Sequence, residues 1–334
     1  MKKEEFYFDS RDGRNKIHAV RYLPEEVDVT CVLQIVHGMA EYIERYEAFA
    51  KFMTDRGVVV TGEDHLGHGK SVAEGGTYGY FCSQDPATVV VRDVHRLKKM
   101  TQELYPSVPY VILGHSMGSF ILRNYLCRYG TGITGAIIMG TGMQSPGLIR
   151  LSKAVAAIQR VFCGDRHVSR LLDKAAFGSY NKKIEKPRTK FDWLSRSAES
   201  VDRYIKDPLC GFTFTVNGFA TLFELIARIQ KKENLEKVPG TLPLLMLSGT
   251  DDPVGDYGEG VRRAYRSLKN AGVRDISLKL YKGGRHELLN ETNRNTIMQD
   301  IYDWMKEAIL VSDIQRVVIN DLNRNMEQKA KNGH

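Results

Sequence analysis

The sequence lacks the features that would anchor a chain in a membrane or cross-link it. It contains no run of 18 apolar residues, so no transmembrane helix is expected. The N-terminal residues include lysines but no apolar stretch, so we expect no secretory signal. The five cysteines are scattered and form no C-x-x-C pair, which predicts neither a disulfide framework nor a zinc site. We therefore expect a cytoplasmic protein with reduced thiols.

The net charge of +8 is concentrated in one part of the 334 residues. Residues 150–206 hold 14 Lys and Arg against 6 Asp and Glu, so the rest of the chain is nearly neutral. Such a segment is typical of a solvated basic face, and it would also attract an anionic lipid surface or an anionic substrate. No nucleic-acid-binding motif accompanies the charge, so nucleic acid is not a predicted partner.

Apolar runs alternate with helical patterns along most of the chain. This alternation predicts an α/β fold, with a mostly parallel central sheet and helices on both faces, preceded by an N-terminal hairpin around Asp12-Gly13. The alternation stops between residues 143 and 238, which are charged and helical in pattern. We therefore predict a core formed by residues 1–142 and 239–310, a helical cap at 143–238 and a polar tail at 311–334.

One helix of the predicted cap has a pronounced apolar face. Ser145-Pro146 predicts its start, because serine caps helices and proline suits the first helical position. Apolar residues then recur at helical spacing: Leu148, Leu151, Val155, Ile158 and Phe162. We expect this face to pack on neighbouring helices; the alternative is a lipid-facing helix at the mouth of a pocket.

The most informative motif is Gly114-His-Ser-Met-Gly118. It lies between an apolar run and a helical stretch, the context in which G-x-S-x-G forms a nucleophile elbow. The sharp turn would lift the Ser116 hydroxyl above the sheet edge. The two glycines are expected because side chains would clash in so tight a turn.

A serine nucleophile requires a base and an acid that orients the base. His286 follows the last predicted strand, and the adjacent Asp251 and Asp252 follow the strand before it. This order of serine, acid and histidine is typical of the fold, and spacing alone leaves open which aspartate turns toward His286.

The reaction also requires N–H donors for an oxyanion. The backbone N–H of Met117 is one candidate, and that of Met39, in the loop after an early strand, is the other. His37 is expected to support that loop. His65 and His68 form H-x-x-H without a third ligand at suitable spacing, so neither a metal nor another cofactor is expected.

These motifs together resemble the α/β-hydrolases of the monoacylglycerol lipase and lysophospholipase group, which are also grouped with serine aminopeptidase-like hydrolases. Besides the elbow, the resemblance rests on His37-Gly-Met-Ala-Glu-Tyr-Ile-Glu-Arg-Tyr46, Asp64-His-Leu-Gly-His-Gly-Lys-Ser71, Gly249-Thr-Asp-Asp-Pro-Val254 and Gly284-Arg-His286. It implies an α/β-hydrolase fold with Asp252 as the triad acid. It further implies that Glu41 and Arg45 shape the polar end of the pocket, although a structural salt bridge would explain them equally.

The resemblance also implies an acyl tunnel in the cap, lined by Phe212 and Phe214, although the same aromatics would suit a cap core. One departure concerns the second histidine that helps animal monoacylglycerol lipases hold glycerol, because Leu289 stands at that position. The stretch His286-Glu-Leu-Leu-Asn-Glu291 is closer to bacterial relatives.

The residues and the resemblance together predict a serine hydrolase that forms an acyl-enzyme. The expected substrate is the carboxylic ester of a lipid-like molecule, a monoacylglycerol or a lysophospholipid. The alternatives are a short-chain carboxylesterase and an amidase or aminopeptidase on the same fold. The expected partners are the substrate and, transiently, an anionic membrane surface that the basic cap contacts.

Overall fold

A computed structural model describes residues 1–309, and the predicted polar tail at 311–334 lies outside them. The strands are β1 (Lys2–Asp9), β2 (Lys16–Leu23), β3 (Cys31–Val36), β4 (Val58–Glu63), β5 (Tyr110–His115), β6 (Gly135–Met139), β7 (Leu244–Gly249) and β8 (Ile276–Tyr281). They form one sheet in the order β1-β2-β4-β3-β5-β6-β7-β8. β2 pairs antiparallel with β1 and with β4, and all other neighbours are parallel. The predicted hairpin and mostly parallel sheet are thus confirmed.

Helices cover both faces of this sheet. They are α1 (Glu47–Thr54), α2 (Pro86–Leu104), α3 (Met117–Tyr129), α4 (Pro146–Cys163), α5 (Arg170–Phe177), α6 (Ala198–Lys206), α7 (Val216–Arg228), α8 (Lys232–Leu235) and α9 (Glu259–Asn270), followed by α10, described from 294 to 309. Apolar residues of α1 and α10 pack in one core, and those of α2, α3 and α9 pack in the other. The predicted fold class is confirmed.

The central strands are buried on both faces. Every residue of β3 to β7 is buried, and alternate residues enter opposite cores, as Val111 and Ile112 do in β5. A parallel sheet covered by helices on both sides requires apolar side chains at successive positions. This explains why the strands appear in the sequence as continuous apolar runs.

Between β6 and β7 the structure contains helices α4 to α8 and no strand of the sheet; its one β-bridge joins Val168 and Thr215. We keep the name cap for residues 143–238, and the division of the chain at those positions stays a prediction. No helix within residues 1–309 has the length and apolar content needed to cross a bilayer.

Helix α4 begins as predicted, but its apolar face is not packed. The Ser145 side chain accepts a hydrogen bond from the Leu148 N–H at 3.2 Å, so the predicted cap of the helix is confirmed. The predicted apolar face is instead largely exposed, with Leu148 51%, Leu151 62%, Ile158 59% and Phe162 83% accessible. The helix buries Ile149 and Ala156. Our prediction of a packed face was wrong, because periodicity identifies an apolar face but does not show what covers it.

Candidate active site

Four loops meet at one edge of the sheet. β3, β5, β7 and β8 are parallel, so the loops that follow them all leave from their carboxyl ends. The register aligns those ends: Val36 lies opposite Gly114, and Gly249 lies opposite Tyr281. In open α/β sheets this edge is where ligands bind.

The turn after β5 holds Ser116 in a strained conformation. Its φ of 55° and ψ of −121° lie where residues other than glycine rarely occur, at a cost of roughly 1–3 kcal/mol. A Cβ on Gly118 would collide with the carbonyl oxygen of Val36, and one on Gly114 would collide with that of Gly118. Both glycines of the motif are therefore required by the close approach of backbone to backbone.

The structure brings Ser116, His286 and Asp252 into one chain of hydrogen bonds. The Ser116 Oγ lies 2.8 Å from His286 Nε2, and both Asp252 carboxylate oxygens lie 3.0 Å from His286 Nδ1. Asp252 is fully buried, and the Val254 N–H donates to its Oδ1 at 2.9 Å. Asp251 is exposed, so Asp252 is the aspartate that faces the imidazole.

The two predicted oxyanion donors lie beside the same serine. Met39 and Met117 line one cavity together with Ser116 and His286. Neither the Met39 nor the Met117 N–H donates a hydrogen bond to any group within residues 1–309. Among the described residues, both N–H groups are therefore free to donate to a group bound beside Ser116.

The cavity above Ser116 has a volume of about 890 Å³ and extends into the cap. Its apolar lining includes Phe120, Leu172, Phe177, Leu222, Phe223 and Ile226. Phe212 lines it as predicted, but Phe214 does not. Phe214 is completely buried against His68, Phe81 and Phe219, where it belongs to the packed core. Our prediction for Phe214 was wrong, because sequence spacing does not separate a tunnel wall from a core.

The polar end of the cavity is formed by Glu41 and Glu287, which both line it, and Arg45 joins the two carboxylates. The Arg45 guanidinium donates to both Glu287 oxygens at 2.8 Å and to Glu41 at 2.6 Å, and it also stacks on Tyr204. Arg45 itself does not line the cavity. Of the two interpretations of Arg45, the structure therefore favours the structural salt bridge with Glu41. Glu287 is a second partner of Arg45 that the sequence did not predict.

Charges at this end are balanced within the protein. Burial raises the pKa of Glu41, but His115 and Arg45 outweigh it and hold that pKa well below its usual range. Burial lowers the pKa of His115, but its hydrogen bond to Glu41 and the charge of Glu41 raise it above its ordinary value. The pKa of Arg45 is raised despite its burial, because Glu287 and Glu41 are both adjacent. The two carboxylates of the polar end are thus in contact with the Arg45 guanidinium and the His115 imidazole.

Several residues near His286 escaped the sequence interpretation. The indole of Trp193, from the cap, lies 5.1 Å from the His286 ring, centroid to centroid. Glu287 and Glu291 are buried, although acidic residues directly after His286 suggest a solvated loop. The available signal was the acidic spacing within His286-Glu-Leu-Leu-Asn-Glu291.

Three neutral histidines support the loop that carries Met39. His37 accepts a hydrogen bond from the His65 N–H at 3.0 Å and donates to the Gly38 carbonyl at 2.8 Å, and His68 donates to the Leu66 carbonyl at 3.0 Å. The structure thus uses His37 as a loop support. No group of three or more His, Cys, Asp or Glu within residues 1–309 is arranged to hold a metal ion.

Comparison with known proteins adds to this geometry. The sequence profile of the family described as "Serine aminopeptidase, S33" matches residues 28–293. The chain belongs to this family. Its hydrolase domain is 27% identical to the monoglyceride lipase of Rattus norvegicus over 295 residues, which is 87% of this chain and 88% of that protein. It is 25% identical to the monoacylglycerol lipase of Mycolicibacterium smegmatis, over 84% of this chain and 89% of that protein.

The hydrolase fold also matches solved structures. A highly thermostable carboxyl esterase from Bacillus coagulans, solved in complex with glycerol, superposes with a TM-score of 0.86. The two chains are 30% identical, and the match covers 92% of this chain and 99% of that one. The fold, the family and these relatives together make the chain a carboxylic-ester hydrolase.

The buried histidines of this hydrolase predict a loss of stability in acid. Burial lowers the pKa of His37 to about 4 and of His68 to about 3, against about 6.5 in an unfolded chain. Between about pH 6.5 and 4 the unfolded chain therefore binds protons that the folded chain does not. We expect the free energy of unfolding to fall by about 2 kcal/mol per buried histidine between pH 7 and pH 5, measured by urea denaturation.

A variant pair isolates the effect. His68→Leu removes one titrating group, so its stability difference between pH 7 and pH 5 should shrink by about 2 kcal/mol. His167→Gln, at an exposed position, should leave the difference unchanged. His115 acts in the opposite direction, because a raised pKa gives stability that is present below pH 6.5 and lost above it. An unchanged pH difference in His68→Leu would contradict the assignment.

Proposed function

We propose that the hydrolase cleaves the ester of a monoacylglycerol through an acyl-enzyme on Ser116. The observation that carries the proposal is the unbroken line of hydrogen bonds Asp252–His286–Ser116 at the base of an apolar cavity. A serine hydroxyl is a weak nucleophile unless a base accepts its proton, and that base must be held in orientation.

In the proposed mechanism Ser116 Oγ attacks the ester carbonyl while His286 Nε2 takes its proton. Asp252 keeps the imidazole oriented and stabilises the imidazolium that forms. The N–H groups of Met39 and Met117 bind the oxyanion. His286 then gives its proton to the leaving alcohol as the C–O bond breaks. Water repeats the sequence on the acyl-enzyme, which releases the fatty acid and restores the serine.

The two ends of the cavity suit a monoacylglycerol. The apolar lining in the cap accommodates an acyl chain, and the carboxylates of Glu41 and Glu287 offer acceptors for the hydroxyls of a leaving glycerol. The names of the rat and mycobacterial relatives, and the glycerol in the Bacillus coagulans esterase, support this orientation. Since Arg45 is already bound to both carboxylates, a phosphate group beside Glu41 and Glu287 would meet no unpaired cation, although Lys174 and Lys190 line the cavity in the cap. The polar end itself therefore favours a neutral headgroup over a lysophospholipid.

The family description also suggests amide hydrolysis as a second candidate. Recognition of a free amine would require a carboxylate without a cationic partner. Of the carboxylates that line the cavity, Glu41 and Glu287 are bound to Arg45 and Asp256 is bound to Arg263, which leaves Asp173, in the cap, as the one without an ion pair within residues 1–309. An amine at the polar end would therefore have to compete with Arg45. The cavity of about 890 Å³ is likewise larger than a short acyl group requires. The site therefore favours a long-chain ester over an aminopeptidase or short-chain esterase substrate.

We further propose that the cap contacts an anionic membrane surface in the cytoplasm. Of the eleven large apolar residues that are exposed within residues 1–309, eight belong to the cap. Seven of them form what we call the docking face, on α4, α5 and the turn between them: Leu148, Leu151, Ile158, Val161, Phe162, Val168 and Leu171. The segment 150–206, which carries the basic excess, includes six of these seven residues. Apolar insertion combined with attraction to anionic lipid is typical of interfacial helices.

Ser116→Ala tests the nucleophile. We expect hydrolysis of a p-nitrophenyl ester to fall by on the order of 10⁵-fold, because no other group can form the acyl-enzyme. Covalent labelling by a fluorophosphonate, followed by intact mass, should be lost in the same variant. Turnover equal to that of the unmodified protein would refute the role of Ser116.

The adjacent aspartates supply a matched pair for the acid. Asp252→Asn should lower kcat by roughly 10⁴-fold, because an amide at this position favours the wrong imidazole tautomer. Asp251→Asn removes the same charge from an exposed position one residue away and should change kcat less than about threefold. Equal losses in the two variants would contradict the assignment of Asp252.

Headgroup preference tests the charge balance of the polar end. For one acyl chain, we expect kcat/KM for the monoacylglycerol to exceed that for the lysophosphatidate at least about tenfold, because the phosphate would be buried beside two carboxylates. The methyl ester of the same acid is the reference. Glu287→Gln removes one carboxylate and should reduce the ratio of the two kcat/KM values. Equal turnover of both lipids would overturn the preference for a neutral headgroup.

The docking face predicts binding to vesicles of phosphatidylcholine and phosphatidylglycerol. Phe162→Ser and Leu171→Ser should each weaken cosedimentation about tenfold, because each removes apolar area that would enter the lipid. High salt should weaken binding further. Leu104→Ser is the matched control: Leu104 is 57% exposed and Leu171 61%, but Leu104 lies on α2, outside the cap.

A fluorophore on Cys163 can report insertion directly. Cys163 is exposed beside Phe162, whereas Cys31 and Cys82 are buried, and Cys127 and Cys210 are partly buried. The emission of an environment-sensitive dye should shift to the blue on addition of anionic vesicles. Absence of that shift, or equal weakening by Leu104→Ser, would argue against a membrane and for a second copy of the chain or no partner.

A further inference from the structure

The loop that carries His286 contains two buried carboxylates that the proposed reaction does not use chemically. Glu287 and Glu291 follow the histidine by one and five residues, and both are almost inaccessible to solvent. A buried carboxylate is stable only when its oxygens accept hydrogen bonds or pair with cations. Their partners lie on opposite sides of the loop.

Glu287 connects the histidine loop to the loop that carries Met39. Its two oxygens receive the bidentate hydrogen bonds of Arg45, and Arg45 in turn donates to Glu41. Glu41 Oε1 accepts the Gly38 N–H at 2.6 Å. The Asn290 side chain donates to Glu287 Oε2 at 2.9 Å. One chain of contacts thus runs from the residue after His286 to the residue before Met39.

Glu291 connects the same loop to the cap. Its Oε1 accepts hydrogen bonds from the N–H of Arg196 at 3.1 Å and from the N–H of Arg285 at 2.9 Å. Its Oε2 accepts from Arg196 Nε at 2.9 Å and from the N–H of Thr292 at 2.9 Å. Arg196 belongs to the cap, and Arg285 directly precedes His286. A single carboxylate therefore joins a cap residue to the backbone beside the catalytic base.

Further hydrogen bonds run along the same contact. Arg285 Nη1 donates to the carbonyls of Asp192 at 2.7 Å and Ser195 at 3.0 Å. The Glu287 N–H donates to the Leu194 carbonyl at 2.7 Å. The His286 ring also packs beside Trp193. Cap residues 192–196 therefore pack along one side of the His286 imidazole and its loop.

We propose that Glu291 is a positioning residue: through Arg196 and the Arg285 N–H it holds the His286 loop against cap residues 192–196, so that this part of the cap belongs to the catalytic apparatus. The proposal rests on the assignment of His286 as the base. It concerns alignment alone, because Glu291 lies outside the cavity and touches neither Ser116 nor the His286 ring. A misalignment of about 1 Å in a general base costs on the order of 10²-fold in rate.

The charge and the oxygens of Glu291 are both needed. Four N–H donors face its two carboxylate oxygens, and the Thr292 hydroxyl lies 3.5 Å from Oε2. A glutamine has one carbonyl oxygen, and its NH₂ group would face Arg196 Nε and the Thr292 N–H, or the N–H groups of Arg196 and Arg285. The isosteric change therefore keeps the volume and breaks half of the contacts.

Glu291→Gln is the primary test, measured on the full chain with p-nitrophenyl butyrate and with a fluorophosphonate. We expect kcat per titrated active site to fall about 10- to 100-fold, with KM changed less than about threefold. The second-order rate of fluorophosphonate labelling should fall in parallel, because it too requires His286 to activate Ser116, while the final stoichiometry stays at one. A kcat per titrated site within twofold of the unmodified protein would overturn the proposal.

A second variant keeps the proposal testable if Glu291→Gln does not fold. Arg196→Met removes the cap side of the contact at a partly exposed position and should lower kcat about 5- to 10-fold. The double variant should be no slower than Glu291→Gln alone, and additive losses would contradict a shared contact. Glu185→Gln, an exposed acidic position in the cap, is the control and should not change kcat. Failure of fluorophosphonate to label the unmodified protein would instead refute the triad.

Discussion

The close approach of the Ser116 turn to strand β3 is the constraint on which the rest of the site depends. Gly118 sits against the carbonyl of Val36, and the register of β3 and β5 leaves no room for a Cβ there. The same approach brings the N–H of Met117 and the loop that carries Met39 to one point. It also holds Ser116 at a φ of 55°, a conformation that persists only because the surrounding strands leave no alternative. The register of β3 and β5 thus determines the conformation of Ser116.

The loops at this edge of the sheet pack so closely that polar groups become buried. Each buried charge then needs a partner. Around Ser116 the hydrolase meets this requirement with contacts that also define geometry. Glu41 and Glu287 share Arg45, and Glu291 gathers four N–H groups. A buried carboxylate with directional donors orients its neighbours more strictly than apolar packing does, because a hydrogen bond weakens steeply when its angle changes. In the proposed mechanism, these polar residues would form the framework that aligns Ser116, His286 and Asp252.

Local patterns in the sequence were sufficient to predict the strands, the elbow and the positions of Ser116 and His286, because each depends on residues that are close in the chain. The second partner of Arg45, Glu287, could not be predicted in this way. Glu287 lies 242 residues further along the chain, and no spacing rule connects them. The prediction that the apolar face of α4 is packed was wrong for a different reason. Its apolar period is the same whether the face is covered or exposed, and only the three-dimensional arrangement shows that α4 buries Ile149 and Ala156 instead.

Two parts of the cap, residues 192–196 and helix α4, differ in how they are attached to the rest of the protein. Residues 192–196 are joined to the histidine loop by backbone and charged hydrogen bonds, so their displacement would move His286. Helix α4 carries the exposed docking face, and the ion pair of Lys153 joins it to Glu224 on α7, within the cap itself. Local stability is lowest where buried contacts to the rest of the protein are fewest. Helix α4 packs mainly on α7, and none of the hydrogen bonds of residues 192–196 involves it, so the contact between the cap and the His286 loop does not depend on α4. If the docking face inserts into a bilayer as proposed, the exposed apolar residues of α4 leave water, while residues 192–196 keep their hydrogen bonds to the His286 loop.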